Sequence, residues 1–249
     1  WACTKLQPSR KNNIKIDTLK PYKLIDKSKL NEIDNFFLTL GLIYNDLKGL
    51  VIFYRISEEK YLVKEEEGLT FRNGELGGLK LQIYRLMIGL IRETIKFIYL
   101  KQSTIKSPKF KLIESKIHKN DLVPWYEICL VSFSEFSKDD NSFLSKIKKV
   151  RDDVSFHYDD KEVLRNWFIE KFYNEEKNET NKNCCYVNNF QMRSSRFFYC
   201  DAIIQKYLLD QLVLDKEGDY LKEMVEFIGK LNISIIFLMN SYVDTKKNR

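Results

Sequence analysis

Residues 33–54, IDNFFLTLGLIYNDLKGLVIFY, decide the fold class. Apolar side chains fall at Ile33, Phe36, Phe37, Leu40, Ile43, Tyr44, Leu47, Leu50, Val51 and Tyr54. The steps alternate between three and four residues, which is one face of an α-helix and not the every-other-residue pattern of a strand. Ser28 or Asn31 offers an N-cap. A second long helix is expected from Leu79 to Lys101. Its apolar residues form two stripes, Leu79, Ile83, Leu86, Leu90 and Phe97 on one side and Ile88, Ile91, Ile95 and Ile98 on another. A helix apolar over so wide an arc belongs between neighbours, which places it centrally.

Working outward, further periodic segments follow at 110–117, 125–136, 143–154, 161–173, 195–212 and 219–243. Ser107-Pro108 breaks the chain before the first of these. Asn120, Asp121 and Pro124 mark the start of the second, and Asp139, Asp140 and Asn141 offer the cap for the third. With only nine glycines and four prolines in 249 residues, breakers are scarce. The expected class is all-α, a bundle of about six to eight helices. Residues 1–27 read as an extended or loosely docked arm, and 28–249 as one helical domain. Ser57 to Gly78 reads as a loop, with Glu65, Glu66, Glu67, Gly74, Gly77 and Gly78 and a short extended piece at Tyr61–Val63. Asn174 to Asn189 reads as a mobile surface loop.

A hydrophobic fraction of 44% and a charged fraction of 31% describe a globular chain, and the net charge of +7 permits a polyanionic partner. Five cysteines, Cys3, Cys129, Cys184, Cys185 and Cys200, include no C-x-x-C pair, so reduced thiols and a cytoplasmic setting are expected. The best candidate for a membrane span, Ile83 to Leu100, is interrupted by Arg85, Arg92, Glu93 and Lys96, so no membrane partner is expected. Two distant histidines and unspaced cysteines make no metal site. Gly74, Gly77 and Gly78 lack the lysine and hydroxyl of a nucleotide cradle. No cofactor is expected.

The chemistry is concentrated in Lys148–Asp160, KKVRDDVSFHYDD. Arg151 supplies a planar, permanently charged fork suited to a phosphate. His157 is one of only two histidines and titrates near neutral pH. His118, the other, lies between Lys116 and Lys119 in a polar stretch and reads as a surface residue. On a straight helix Arg151 and His157 would be about 120° apart around the axis and about 9 Å apart along it. Uniting them needs either a helix that ends near Phe156 or a second copy of the chain across a two-fold axis. A bland reading stands beside this one. His157 continues the stripe of Phe143, Ile147, Val150 and Val154 and suits a histidine tucked against the core, with Asp153 four residues before it to hold its tautomer. Arg151 suits a bridge to a carboxylate.

An arginine, a polar residue and a histidine at this spacing, on a late helix of a helical bundle, resemble the signature of the HEPN-domain ribonucleases. The resemblance spans residues 151–157. It implies a metal-independent endoribonuclease working as a homodimer, in families that include toxins with antitoxin partners and abortive-infection effectors of bacterial defence. Arg151 and His157 match the catalytic arginine and histidine, and Asp152 the polar position between them, where asparagine is usual. An ionised Asp152 repels a phosphate unless it is neutralised or turned towards His157. On this reading RNA is drawn in by Lys146, Lys148 and Lys149, and Tyr158 or Phe156 stacks on a base. The rival expectation is a non-catalytic helical module that binds nucleic acid or another protein.

Overall fold

The computed structural model describes residues 17–25, 31–60, 70–135, 143–155, 163–173, 184–188, 191–192, 195–212 and 220–247. The architecture is all-α. Helices α1 Pro21–Leu24, α2 Glu32–Lys60, α3 Phe71–Leu100, α4 Gln102–Lys106, α5 Pro108–Glu114, α6 Lys119–Glu135, α7 Phe143–Val150, α8 Val163–Phe172, α9 Phe198–Leu212 and α10 Tyr220–Lys247 follow in order. A wide π-helical turn, Arg151–Ser155, continues α7. The only β-type pairing among the described residues is one antiparallel bridge, Val187 with Arg196.

Four long helices set the frame. α10 packs on α6 and α2, and α3 packs on the same two, so α2, α3, α6 and α10 close a ring around one core. The three-four pattern of the sequence accounts for this. Phe36, Phe37, Leu40 and Leu47 of α2 meet Ile88, Ile91, Ile95 and Ile98 of α3, and Leu231, Ile235 and Leu238 of α10 complete the set, nearly all fully buried. At one end an aromatic cluster fills the space. Phe37 stacks on Tyr242 with ring centroids 4.2 Å apart, and Phe36 meets Phe110 edge to face at 5.3 Å. Aromatic packing of this kind adds to the burial of area alone.

Several polar side chains in this core are satisfied locally: the hydroxyls of Thr94, Ser132 and Ser234 donate to the carbonyls of Leu90, Ile128 and Lys230, four residues earlier on their own helices. Others bond between helices: the Ser241 hydroxyl donates to the carbonyl of Ile113 at 2.7 Å, and Trp125 Nε1 donates to Glu114 at 3.1 Å. One contact is a long-range ion pair. Lys246 Nζ lies 2.6 Å from Asp34 Oδ1, and each side chain is only 7% exposed. The Tyr242 hydroxyl donates to the same carboxylate at 2.9 Å. This joins the start of α2 to the end of α10. Residues 17–25 dock nearby: Lys247 reaches Asp17 at 3.3 Å and Tyr242 reaches the carbonyl of Leu24 at 3.4 Å.

The expected loop over Ser57–Gly78 is corrected by the structure. α2 runs on to Lys60, and α3 starts at Phe71 behind a cap in which Thr70 Oγ1 accepts from the amide of Asn73 at 3.2 Å. The expected piece at Tyr61–Val63 lies outside the described residues. Gly74 and Gly78 are helical, and close packing is what requires them. A Cβ on Gly78 would sit 1.6 Å from a guanidinium nitrogen of Arg196, and one on Gly74 would sit 2.2 Å from the Phe198 ring. α6 likewise begins at Lys119, ahead of the expected start, with Pro124 inside it. Proline there removes one bond, to the carbonyl of solvent-exposed Asn120, close enough to the helix start to be tolerated. α2 and α10 are each long and apolar enough to cross a membrane by length and composition, as core helices of a bundle can also be.

The Asp34–Lys246 pair yields a stability test. Asp34→Ala leaves a buried ammonium without its counter-charge, and urea unfolding is expected to show a loss of about 3–5 kcal/mol. The double variant Asp34→Leu/Lys246→Met removes both charges and is expected to recover most of that loss. Equal destabilisation in single and double variants would show that the pair is not a coupled charge site.

Candidate functional site

α7 is held to the bundle by Leu144, Ile147 and Val150, all buried. Lys148 and Lys149 are exposed on its last turn and Lys146 is half-buried. Immediately after them the chain widens into the π turn, where Arg151, Asp152 and Asp153 follow one another. Such turns are rare and recur at functional sites, because the wider winding redirects side chains that a regular helix would spread apart. Phe156, His157 and Tyr158 lie outside the described residues.

The π turn lies against α3 and α7. Arg151 Nη2 donates to Glu93 Oε1 of α3 at 2.9 Å, and Nη1 donates to Asp152 Oδ1 at 2.8 Å. The Arg151 side chain is 25% exposed, so one flank reaches solvent. The hydrogen bond to Asp152 is the main cause that holds the Arg151 pKa above its ordinary value, with partial burial opposing it and Glu93 adding to it. Arg92, next to Glu93 on α3, is pushed the other way. Burial is the first cause, Arg151 adds like-charge repulsion, and Asp152 and Glu93 partly offset both. Two guanidiniums and two carboxylates thus form one cluster with no net charge.

Asp153 points into a different environment. Its Oδ2 accepts from the Tyr207 hydroxyl of α9 at 2.6 Å. Tyr207 is buried and meets Trp167 of α8 edge to face at 5.2 Å. Lys206 lies over the Trp167 ring and bridges to Asp210 and Glu170. The carboxylate expected to orient His157 therefore ties the π turn to α9. Burial, then the bond to Asp153, raises the Tyr207 pKa far above its ordinary value. Partial burial, then the bond to Tyr84, raises the half-buried Tyr54 as well.

Of the residues singled out in the sequence, the structure brings Arg151 and Asp152 together and sets Lys148 and Lys149 on the preceding turn. His118 is exposed, and its Nδ1 accepts weakly from the amide of Asn120 at 3.4 Å, near the start of α6. Sequence reading missed Arg92, Glu93 and Tyr207. The signal for the first two was present: a charged pair among the apolar stripes of a central helix needs a partner. Among the described residues no group of three histidine, cysteine, aspartate or glutamate side chains could hold a metal. Compared with protein-family models, curated proteins and solved structures, the chain matches none.

The raised tyrosines give a pH dependence with a definite sign. Tyr207 and Tyr54 ionise near pH 10 when unfolded and later when folded, so folding binds protons above that point. Their contribution is complete below about pH 10 and is lost as pH rises further. Tyr207→Phe is expected to flatten the decline of stability above about pH 10, followed by urea unfolding across that range. An unchanged slope would refute the assignment.

Proposed function

We propose that the protein is a metal-independent endoribonuclease of the HEPN type, acting as a homodimer in the cytoplasm as a bacterial defence or toxin effector. The observation that carries this reading is the placement of Arg151: partly exposed on a π turn, directly after the exposed Lys148 and Lys149, with Arg92 beside it. In the resting protein Glu93 and Asp152 hold the guanidinium. A phosphate of RNA takes over one of those bonds, so one carboxylate must turn aside. If Glu93 is the one that turns aside, the charge of Asp152 stays matched by Arg151, and this contact supports the reading.

In the reaction the ribose 2′ oxygen attacks the neighbouring phosphorus and the bond to the 5′ oxygen breaks. His157 takes the proton from the 2′ hydroxyl or gives one to the leaving 5′ oxygen, and two copies of it in a dimer divide the tasks. Arg151 stabilises the charge that grows on the phosphoryl oxygens. The products are a 2′,3′-cyclic phosphate and a 5′ hydroxyl. Lys146, Lys148 and Lys149 contribute a salt-sensitive attraction for the strand, and Tyr158 a stacking surface. An antitoxin or another regulatory protein is the expected partner.

A second reading has its own observation. Both terminal nitrogens of Arg151 are already bonded to carboxylates, the arrangement expected of a residue that only fastens the π turn to α3. The protein is then a helical module that binds nucleic acid or protein without cleaving it. Labelled RNA incubated with the protein in EDTA, beside Arg151→Ala and His157→Ala, separates the two. The nuclease reading expects fragmentation to fall by about a hundredfold or more in both variants. Intact RNA with the unaltered protein, or equal fragmentation by all three, would count against it.

A further inference from the structure

A cleft of about 410 Å3 opens between α2, α3 and α10, on another part of the molecule from Arg151. Tyr84 in its wall and Glu93 of the charged cluster are about 13 Å apart along α3 and on opposite sides of it. The cleft follows α2 from Tyr44 to Arg55 and α10 from Met224 to Asn232, a length of about 12–16 Å at the helical rise. Its volume lies in the range of small-molecule sites.

The walls have the matching chemistry. Leu47, Val51 and Ile228 are apolar, and Met87 and Met224 add flexible thioethers that mould to an irregular chain. At the floor the Tyr84 hydroxyl donates to that of Tyr54 at 3.1 Å, so these two polar groups satisfy each other. On the rim stand Lys48 and Arg55, both exposed, seven residues and so about two turns apart on the same face of α2. Among the described residues neither has an ion-pair partner. Gly229 is the remaining clue. It sits inside α10, where glycine weakens a helix relative to alanine, yet a Cβ there would meet nothing within 4 Å. No neighbour in the fold explains the missing side chain, and the glycine keeps the cleft open.

We propose that this cleft binds a single-chain amphiphilic carboxylate, a free fatty acid, with the hydrocarbon between α2, α3 and α10 and the carboxylate between Lys48 and Arg55. The inference stands apart from the nuclease reading and shares no residue with it.

Laurate binding to the full chain, measured by calorimetry with 1-dodecanol as the uncharged control, tests it. One laurate per chain is expected with a Kd of about 10 µM. Gly229→Leu fills the cleft and is expected to weaken laurate at least about tenfold while Tm holds or rises. Lys48→Glu/Arg55→Glu alters only exposed positions and is expected to weaken laurate, but not dodecanol, by a similar factor. Absence of saturable laurate binding overturns the proposal, as does equal binding by Gly229→Leu. Two further outcomes would also replace it. Flotation with phosphatidylcholine–phosphatidylglycerol vesicles without laurate binding makes the region a membrane surface. A dimer that Gly229→Leu dissociates, again without laurate binding, makes it a contact between copies.

Discussion

The rest of the structure depends on how α3 is covered. Its apolar residues occupy more than one stripe, so no single partner helix can remove them from water. α2 and α6 take two sides, and α7, the π turn and α9 take the remainder. α10 then closes the ring from the far side by packing on α2 and α6. The close approach of the later segments explains the glycines in the first turns of α3, where Arg196 and Phe198 press against the backbone. Arg196 is fixed in turn by a two-pronged contact with Asp201, at 2.8 and 3.2 Å.

Because α3 is central, any charge on it has to be answered by whatever packs there. Glu93 and Arg92 are answered by Arg151 and Asp152. This gives the candidate site its main physical property: it is charged in its parts and neutral as a whole. Such a cluster resists solvent and salt better than an isolated surface pair, because partial burial reduces screening. It also sets a threshold for any anionic ligand, which must compete with two carboxylates already in place. The second fastening, Tyr207 to Asp153, holds the following residue from the α9 side. The π turn is thus gripped from two helices.

Much of the fold was legible because helix period and burial are written in the same residues. Ile33 through Tyr54 predicted α2, and Leu221 through Tyr242 predicted α10, since each presents apolar side chains every three or four positions. The readings that failed were those based on local composition. Three glycines near residue 78 suggested a loop, yet two of them serve a contact with residues more than a hundred positions later. Pro124 suggested a boundary, yet it falls where a helix can lose one hydrogen bond cheaply. For the site, the type of residue at 151 and 152 was visible, while the partners at 92, 93 and 207 were not. Nothing in a linear pattern states which buried helix will face which charge.

By itself the sequence determined that the chain is helical, which faces of its long helices turn inward, and that a basic turn leads into an arginine and two aspartates. These follow from periodicity and side-chain chemistry, which act over a few neighbouring residues. Only the tertiary structure decided that Arg151 meets Glu93, that Asp153 meets Tyr207, and that a cleft remains between α2, α3 and α10. Those outcomes depend on how rigid helices of fixed length fill space around a shared core, and close packing couples residues that no local rule connects.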